Sequence, residues 1–340
     1  MKKILVVDDT IASLKQIGAL LEGEYDVTLA KSGPMALTIC ARERPDLILL
    51  DVDMPGMDGF ETLARLRMNP FLGSIPVIFL TGNRDADTEV KALMSGARDF
   101  ITKPVEKSIL AHRIELHLFF GAYERQLEDT VKELSDSIAV TFAEVIECRD
   151  ENTGGHVVRT SKYVRMLGED LLRRRVFGDE LSQEELDLIV RAAPLHDIGK
   201  IAISDRILLK QERLSDMEFE TMKTHAALGA RIIEGMIACT STLQYLKYAK
   251  VIANFHHERW DGKGYPQGLS GDAIPLAARL MSVADVYDAL VDTRVYRKGM
   301  PHVEARAIIV DGSGKSFDPR VVESFIRIEG ELEKASKNRL

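Results

Sequence analysis

The chain has 340 residues, enough for two domains that each bury a core, and its 45% hydrophobic and 29% charged residues are ordinary globular proportions. A net charge of −8 excludes a general basic footprint for nucleic acid, so no DNA-binding output is expected and a phosphate-bearing ligand requires a local positive site. The apolar start "MKKILVVDD" stops at Asp8 and Asp9, too early for a signal peptide, no run is long enough to span a membrane, and Cys40, Cys148 and Cys239 lie outside any CxxC spacing. The expectation is a soluble cytoplasmic chain with no membrane partner.

In chain order, "KILVVDD", "YDVTLA", "DLILLDVD", "PVIFLTG" and "DFITKP" predict five strands, separated by segments of helical spacing. Such alternation implies an α/β fold, a doubly wound five-stranded parallel sheet of flavodoxin-like type. The carboxyl ends of its strands converge, which gathers Asp8, Asp9, Asp51, Thr81 and Lys103. Loops are polar anyway, but that explains one or two of these residues rather than carboxylates, hydroxyl and lysine in this order. The set suits phosphoryl transfer to a carboxylate. Asp8, Asp9 and Asp51 hold Mg²⁺, Asp51 is the nucleophile, and Thr81 and Lys103 bind phosphoryl oxygens.

"VVDD", "LLDVDMPGMDG", "FLTG" and "FITKP", in this order, make residues 1–122 resemble a response-regulator receiver domain. The resemblance implies that Asp51 is the phosphoacceptor for a cognate histidine kinase and that Thr81 and Phe100 reorient on phosphorylation. Residues 123–145 read as a helical linker. Leu127, Val131, Leu134 and Ile138 follow 4, 3, 4 spacing, which fits a coiled-coil seam and a homodimer, or an amphipathic helix packed on a neighbour.

From residue 146 the pattern is helical throughout. "LSQEELDLIVRAAPLHDIGK" predicts a helix, with Ser182 and Glu185 as a capping box, that leads to His196, Asp197 and Lys200. His156, His225, His256, His257 and Asp285 are further polar candidates, whereas His112, His117 and His302 read as structural or solvated. Any one of these histidines taken alone is best read as a satisfied core or surface residue. Together with Asp197 and Asp285 they form a ligand set of imidazole and carboxylate without thiolate, which points to a catalytic metal. Neighbours on a helix diverge by about 100°, so His256 and His257 are expected to serve different ions, and Asp197 can bridge them with its two oxygens. Two ions roughly 3.5–4 Å apart are suited to phosphoester hydrolysis.

"HDIGK" and "HHERWDGKGYPQGL", with "RDENTGGH", "MKTHAALGARII", "IPLAARLMSVADVYDAL" and "FDP", resemble the HD-GYP group of HD-superfamily phosphohydrolases. The resemblance implies an all-α metal-dependent domain over residues 146–330, followed by a polar tail at 331–340, that hydrolyses cyclic di-GMP to pGpG and on to GMP. It assigns metals to His156, His196, Asp197, His225, His256, His257 and Asp285, and places Lys200 and Asp197 at the attacking water. Gly264, Tyr265 and Pro266 shape the substrate side, and Arg294 and Arg297 contact phosphates unless they are a solvated helix end. Two divalent metals, iron or manganese, are expected, because Asn152 stands where relatives with three metals carry glutamate and Glu151 is displaced by one position. Two alternatives stand beside this reading: a catalytically weak binding and interaction module, or a phosphodiesterase for another cyclic or linear nucleotide.

Overall fold

The computed structural model describes residues 1–69, 71–82, 91, 94–149, 155–240, 243–292 and 299–337. The chain divides into two compact units, Met1–Lys132 and Glu133–Leu340. Among the described residues no helix is long and apolar enough to cross a membrane.

The first unit is built on strands β1 (Lys3–Val7), β2 (Asp26–Ala30), β3 (Leu47–Asp51), β4 (Val77–Thr81) and β5 (Asp99–Thr102). They form one parallel sheet in the order β2-β1-β3-β4-β5. The central strands are continuous apolar runs because both faces are covered. Leu5, Val7, Ile48, Leu50 and Phe79 face helices α2 (Gly33–Arg42) and α3 (Gly59–Arg67). Ile4, Val6, Leu49, Ile78 and Leu80 face α1 (Ile11–Leu21) and the start of α4 (Lys107–Arg149), where Leu110 and Ile114 are buried. Register pairs Val7 with Leu50, Asp51 with Leu80 and Thr81 with Thr102, so the polar strand ends finish at one edge.

The last turns of α4 belong to the second unit, where Ala139, Ala143 and Ile146 are buried. This unit is helical: α5 (His156–Arg173), α6 (Gln183–Ala192), α7 (Asp205–Leu208), α8 (Asp216–Cys239), α9 (Tyr245–Phe255), α10 (Leu276–Val291), α11 (His302–Asp311), α12 (Pro319–Arg327) and α13 (Glu329–Lys337). Its core holds Tyr163, Leu186, Leu246, Leu280, Met281, Tyr287 and Phe325. The Ser182–Glu185 capping box starts α6.

The helix expected to run into "HDIGK" ends sooner, at Ala192, and tight 3₁₀ turns follow at Ala193–Leu195 and Ile198–Ala202. Pro194 is the cause, since it lacks an N–H and its ring clashes with the preceding turn. A second difference concerns the histidine pair. Helix α9 stops at Phe255, so His256 and His257 lie in the turn beyond it and helical divergence does not separate them.

Candidate metal centre

Four segments of the second unit bring the predicted ligands together. His156 opens α5, His196 and Asp197 sit between the two 3₁₀ turns, His225 lies in α8, and His256 and His257 follow α9. Gly199 makes the crossing possible: a Cβ there would lie 1.9 Å from the carbonyl oxygen of His225 and 2.5 Å from the Gly229 nitrogen, so only glycine lets the turn press on α8.

The ligand atoms fall into two halves. Asp197, His225, His256 and His257 each offer an atom within 4.8 Å of the others, and so do Glu147, His156 and His196. Asp197 reaches both halves, with Oδ2 3.3 Å from His196 Nε2 and Oδ1 3.3 Å from His225 Nε2 and 3.6 Å from His256 Nε2. Asp285 Oδ1 lies 3.5 Å from His156 Nε2 and 3.8 Å from His196 Nε2. The adjacent His256 and His257 share one half, contrary to the sequence expectation.

The far side of each ring is tied down. His196 Nδ1 meets the Ala193 carbonyl at 3.0 Å, His225 Nδ1 that of Met222 at 2.7 Å, and His256 Nδ1 that of Ile252 at 2.9 Å. His156 Nδ1 meets Asp288 Oδ2 at 2.7 Å. A proton donated from Nδ1 leaves the Nε2 lone pair free and aimed inward, the usual way a protein prepares imidazole for a cation.

Four of the inward atoms, His196 Nε2, Asp197 Oδ1, His225 Nε2 and His256 Nε2, are buried with no hydrogen-bond partner. Each such orphan costs about 1–3 kcal/mol, so four around one volume are poor packing unless a cation completes them. The donor set fits divalent metal. Burial opposes charge on His196, yet Asp197, Asp285 and Glu147 outweigh it and raise its pKa to about 9, so these carboxylates favour a cation at Nε2, a proton when no metal is bound and a metal ion in its place. In the other half, burial and the neighbouring imidazoles push His257 well below its ordinary value, which keeps it neutral and able to ligate. Asp197 is also buried, but Lys200, His196 and His225 overcome the desolvation and hold it ionised.

Lys200 Nζ lies 2.8 Å from Asp197 Oδ2, at the edge of the centre. The Gly264-Tyr265-Pro266 loop folds back on the histidine turn. A Cβ on Gly264 would lie 2.4 Å from the Arg259 nitrogen and 2.6 Å from the His257 oxygen, which explains that glycine. Glu258, buried, staples the loop by accepting from the Gln267 and Leu269 nitrogens at 2.7 and 3.0 Å. The Tyr265 ring lies 4.8 Å from the His257 ring. Beside them opens a cavity of about 540 Å³ whose lining includes His256, His257, Tyr265, Arg259, Ser282 and Lys315. Arg294, Arg297, Glu151 and Asn152 lie outside the described residues.

Sequence reasoning missed Glu147, Asp288 and Glu258. Glu147 carried a signal, since it continues the buried 139, 143 spacing of α4 with a carboxylate where an apolar residue is due. His117 and His302 are structural, bonded to Asp99 and to the Tyr287 hydroxyl.

In the first unit, Asp8, Asp9 and Asp51 offer carboxylate oxygens within 4.8 Å of one another. Lys103 Nζ donates to Asp8 at 2.7 Å and to Asp51 at 2.6 Å. Burial raises Asp8, but Lys103, Ser13 and Thr10 outweigh it and hold its carboxyl below the ordinary value; at Asp51 burial prevails over Lys103 and the pKa is raised. Thr81 is buried at the end of β4, and Phe100, in β5, packs partly into the core opposite Phe79.

Comparison with known families settles the class. Residues 141–321, over half of the chain, match the HD domain family, and residues 4–115 match the response regulator receiver domain. The chain belongs to the HD-domain family. Several relatives align over nearly all of it, across both matched domains. A Vibrio cholerae protein named "Probable cyclic di-GMP phosphodiesterase" is 41% identical, covering 95% of this chain and 77% of its own. The cyclic di-GMP phosphodiesterase response regulator RpfG of Xanthomonas campestris is 35% identical over 97% of this chain and 88% of its own. A Thermotoga maritima cyclic di-GMP phosphodiesterase is 34% identical over 97% of this HD-domain chain and 91% of its own.

Proposed function

We propose that this chain is a two-component response regulator in which phosphorylation of Asp51 controls hydrolysis of cyclic di-GMP by the HD domain, with pGpG as the first product. The observation that carries the reading is the convergence of four orphaned buried atoms on one volume beside the cavity. Full-length relatives named for the same substrate support it.

His156, His196 and Asp285 would hold one divalent ion, His225, His256 and His257 another, and Asp197 would give one oxygen to each. Iron or manganese suits this imidazole and carboxylate set. Bound there, such ions supply Lewis-acid polarisation of a phosphodiester and a water acidic enough to attack at neutral pH. The chain's own residues do the rest. Backbone carbonyls keep the proton on Nδ1 of His196, His225 and His256. Lys200 brings an ammonium to the edge of the centre, where charge develops on phosphorus. Tyr265 offers a ring for stacking a base, and Gly264 and Pro266 set its position. Arg259 and Lys315 put positive charge on the cavity wall, and Arg294 and Arg297 add planar forks for phosphate.

In the receiver, Asp51 accepts the phosphoryl group from a histidine kinase, Asp8, Asp9 and Asp51 hold Mg²⁺, Lys103 and Thr81 bind the transferred oxygens, and Phe100 follows Thr81 when the group arrives. Leu127, Val131, Leu134, Ile138 and Val145 of α4 are all about half exposed, which fits a second copy of the helix and a homodimer.

The test is chromatographic. Full-length protein, loaded anaerobically with Fe²⁺ or Mn²⁺, is incubated in parallel with cyclic di-GMP, a mixed cyclic GMP-AMP and linear pGpG. Cyclic di-GMP should give pGpG with the highest kcat/KM, and Asp197→Ala should lower it about a thousandfold, the loss of several kcal/mol of charge stabilisation. No product with both metals occupied would mean a binding module, and faster turnover of another substrate would mean a different nucleotide.

A further inference from the structure

Among the described residues, Glu147 is the member of the metal cluster that comes from α4, in its last turn. It is 5% exposed, and its carboxylate lies with ligand atoms of His156 and His196 inside a 4.8 Å group whose members are all buried. The preceding turns bury Ala139, Ala143 and Ile146, so the helix inserts a carboxylate at the end of an apolar stripe. Lys200 Nζ lies 3.9 Å from Glu147 Oε1 and 2.8 Å from Asp197 Oδ2. His196 Nε2 is buried, has no hydrogen-bond partner and belongs to the same group.

We propose that Glu147 is a metal ligand of the half formed by His156, His196 and Asp285, a role that rests on the two-metal reading of the centre. This half then carries more carboxylate than the other, which has His225, His256 and His257 around Asp197. Oxygen-rich ligation favours harder ions such as manganese, and imidazole-rich ligation suits iron or zinc, so the two halves differ in preference. The ligand that separates them sits in the last turn of α4.

Two measurements on the full-length chain test the assignment without relying on activity. The first is metal content and the Mn²⁺ electron paramagnetic resonance spectrum of protein loaded with Mn²⁺ and desalted. Wild type should retain two ions with a spin-coupled signal, and Glu147→Gln one ion with a six-line mononuclear signal, its circular dichroism unchanged. The second is Glu147→Cys loaded with Co²⁺. It should show a thiolate-to-cobalt charge-transfer band in the near ultraviolet that wild type lacks, which reads ligation directly even where the glutamine variant folds poorly. Two tightly held Mn²⁺ in Glu147→Gln, or no charge-transfer band in Glu147→Cys with cobalt bound, would overturn the proposal and leave Glu147 as a partner of Lys200. Wild type that binds no metal would instead overturn the centre itself.

Discussion

Asp288 is fully buried and, among the described residues, reaches the metal centre through His156, whose Nδ1 it meets at 2.7 Å while accepting from Arg159 Nε and Nη2 at 2.8 Å. Burial disfavours its charge, but His156 and Arg159 outweigh that and hold its pKa below the ordinary value. A carboxylate behind a ligating imidazole fixes the ring and raises its basicity, so Asp288→Asn should weaken metal binding about 10–100-fold. Competition against a chelator of known affinity reads this directly, and an unchanged affinity would show that Asp288 serves only the fold. Arg159 keeps Asp292 in the variant, so folding should survive. The residues gathered around Asp197 were legible in the sequence because each sits in a short motif with glycine or carboxylate neighbours. Asp288 was not, because it acts through a partner 132 positions away, and neither chain segment announces the pairing. Glu258 was illegible for a similar reason: it lies inside the recognised motif, but its work is to hold backbone nitrogens of the loop that follows.

Helix α12 depends on Asp318, which accepts from the Arg320 nitrogen at its first turn and from the buried Arg279 Nη1 of α10 at 2.7 Å. Burial raises Asp318, but Arg320 and Arg279 outweigh it and depress the pKa. Because the folded value is depressed, the stabilisation is present in full above the unfolded value of about 3.9 and is lost as pH falls through the folded one. Asp318→Asn leaves Arg279 without its closest partner and should cost about 3 kcal/mol at neutral pH. In urea unfolding the gap between variant and wild type should close below about pH 4, and a gap that ignores pH would refute the ion-pair account. Helix α4 makes a different demand. Its exposed column of Leu127, Leu134, Val131, Ile138 and Val145 repeats by sevens and predicts a coiled coil with a second copy. Leu134→Glu, exposed and helix-compatible, should shift the mass in analytical ultracentrifugation from dimer to monomer with circular dichroism unchanged. A wild-type monomer would remove the dimer from the account. The strands were readable because β1, β3 and β4 are unbroken apolar runs ended by polar residues. The 3₁₀ turns around Asp197 were not, because they arise from one proline and from a close approach at Gly199 that only the tertiary structure reveals.

At the scale of the molecule, a net charge of −8 repels an anionic nucleotide, so attraction must be local. Lys200 at the metal centre, Lys223 over the Tyr265 ring, and Arg259 and Lys315 on the cavity wall supply it. The division into a parallel α/β unit and a helical unit followed from the change in hydrophobic period along the chain. The ligand set followed from the company each histidine keeps. The grouping of those ligands into halves required the folded chain, because it depends on where α9 ends and on what α4 delivers.

The claim on which the rest depends is that turnover needs both halves of the centre filled. Full-length protein stripped by a chelator under anaerobic conditions would be titrated with Mn²⁺ or Fe²⁺ while pGpG formed from cyclic di-GMP is quantified. No product before metal and saturation at two ions per chain is the predicted result; product from stripped protein, or none with two ions bound, would contradict the account.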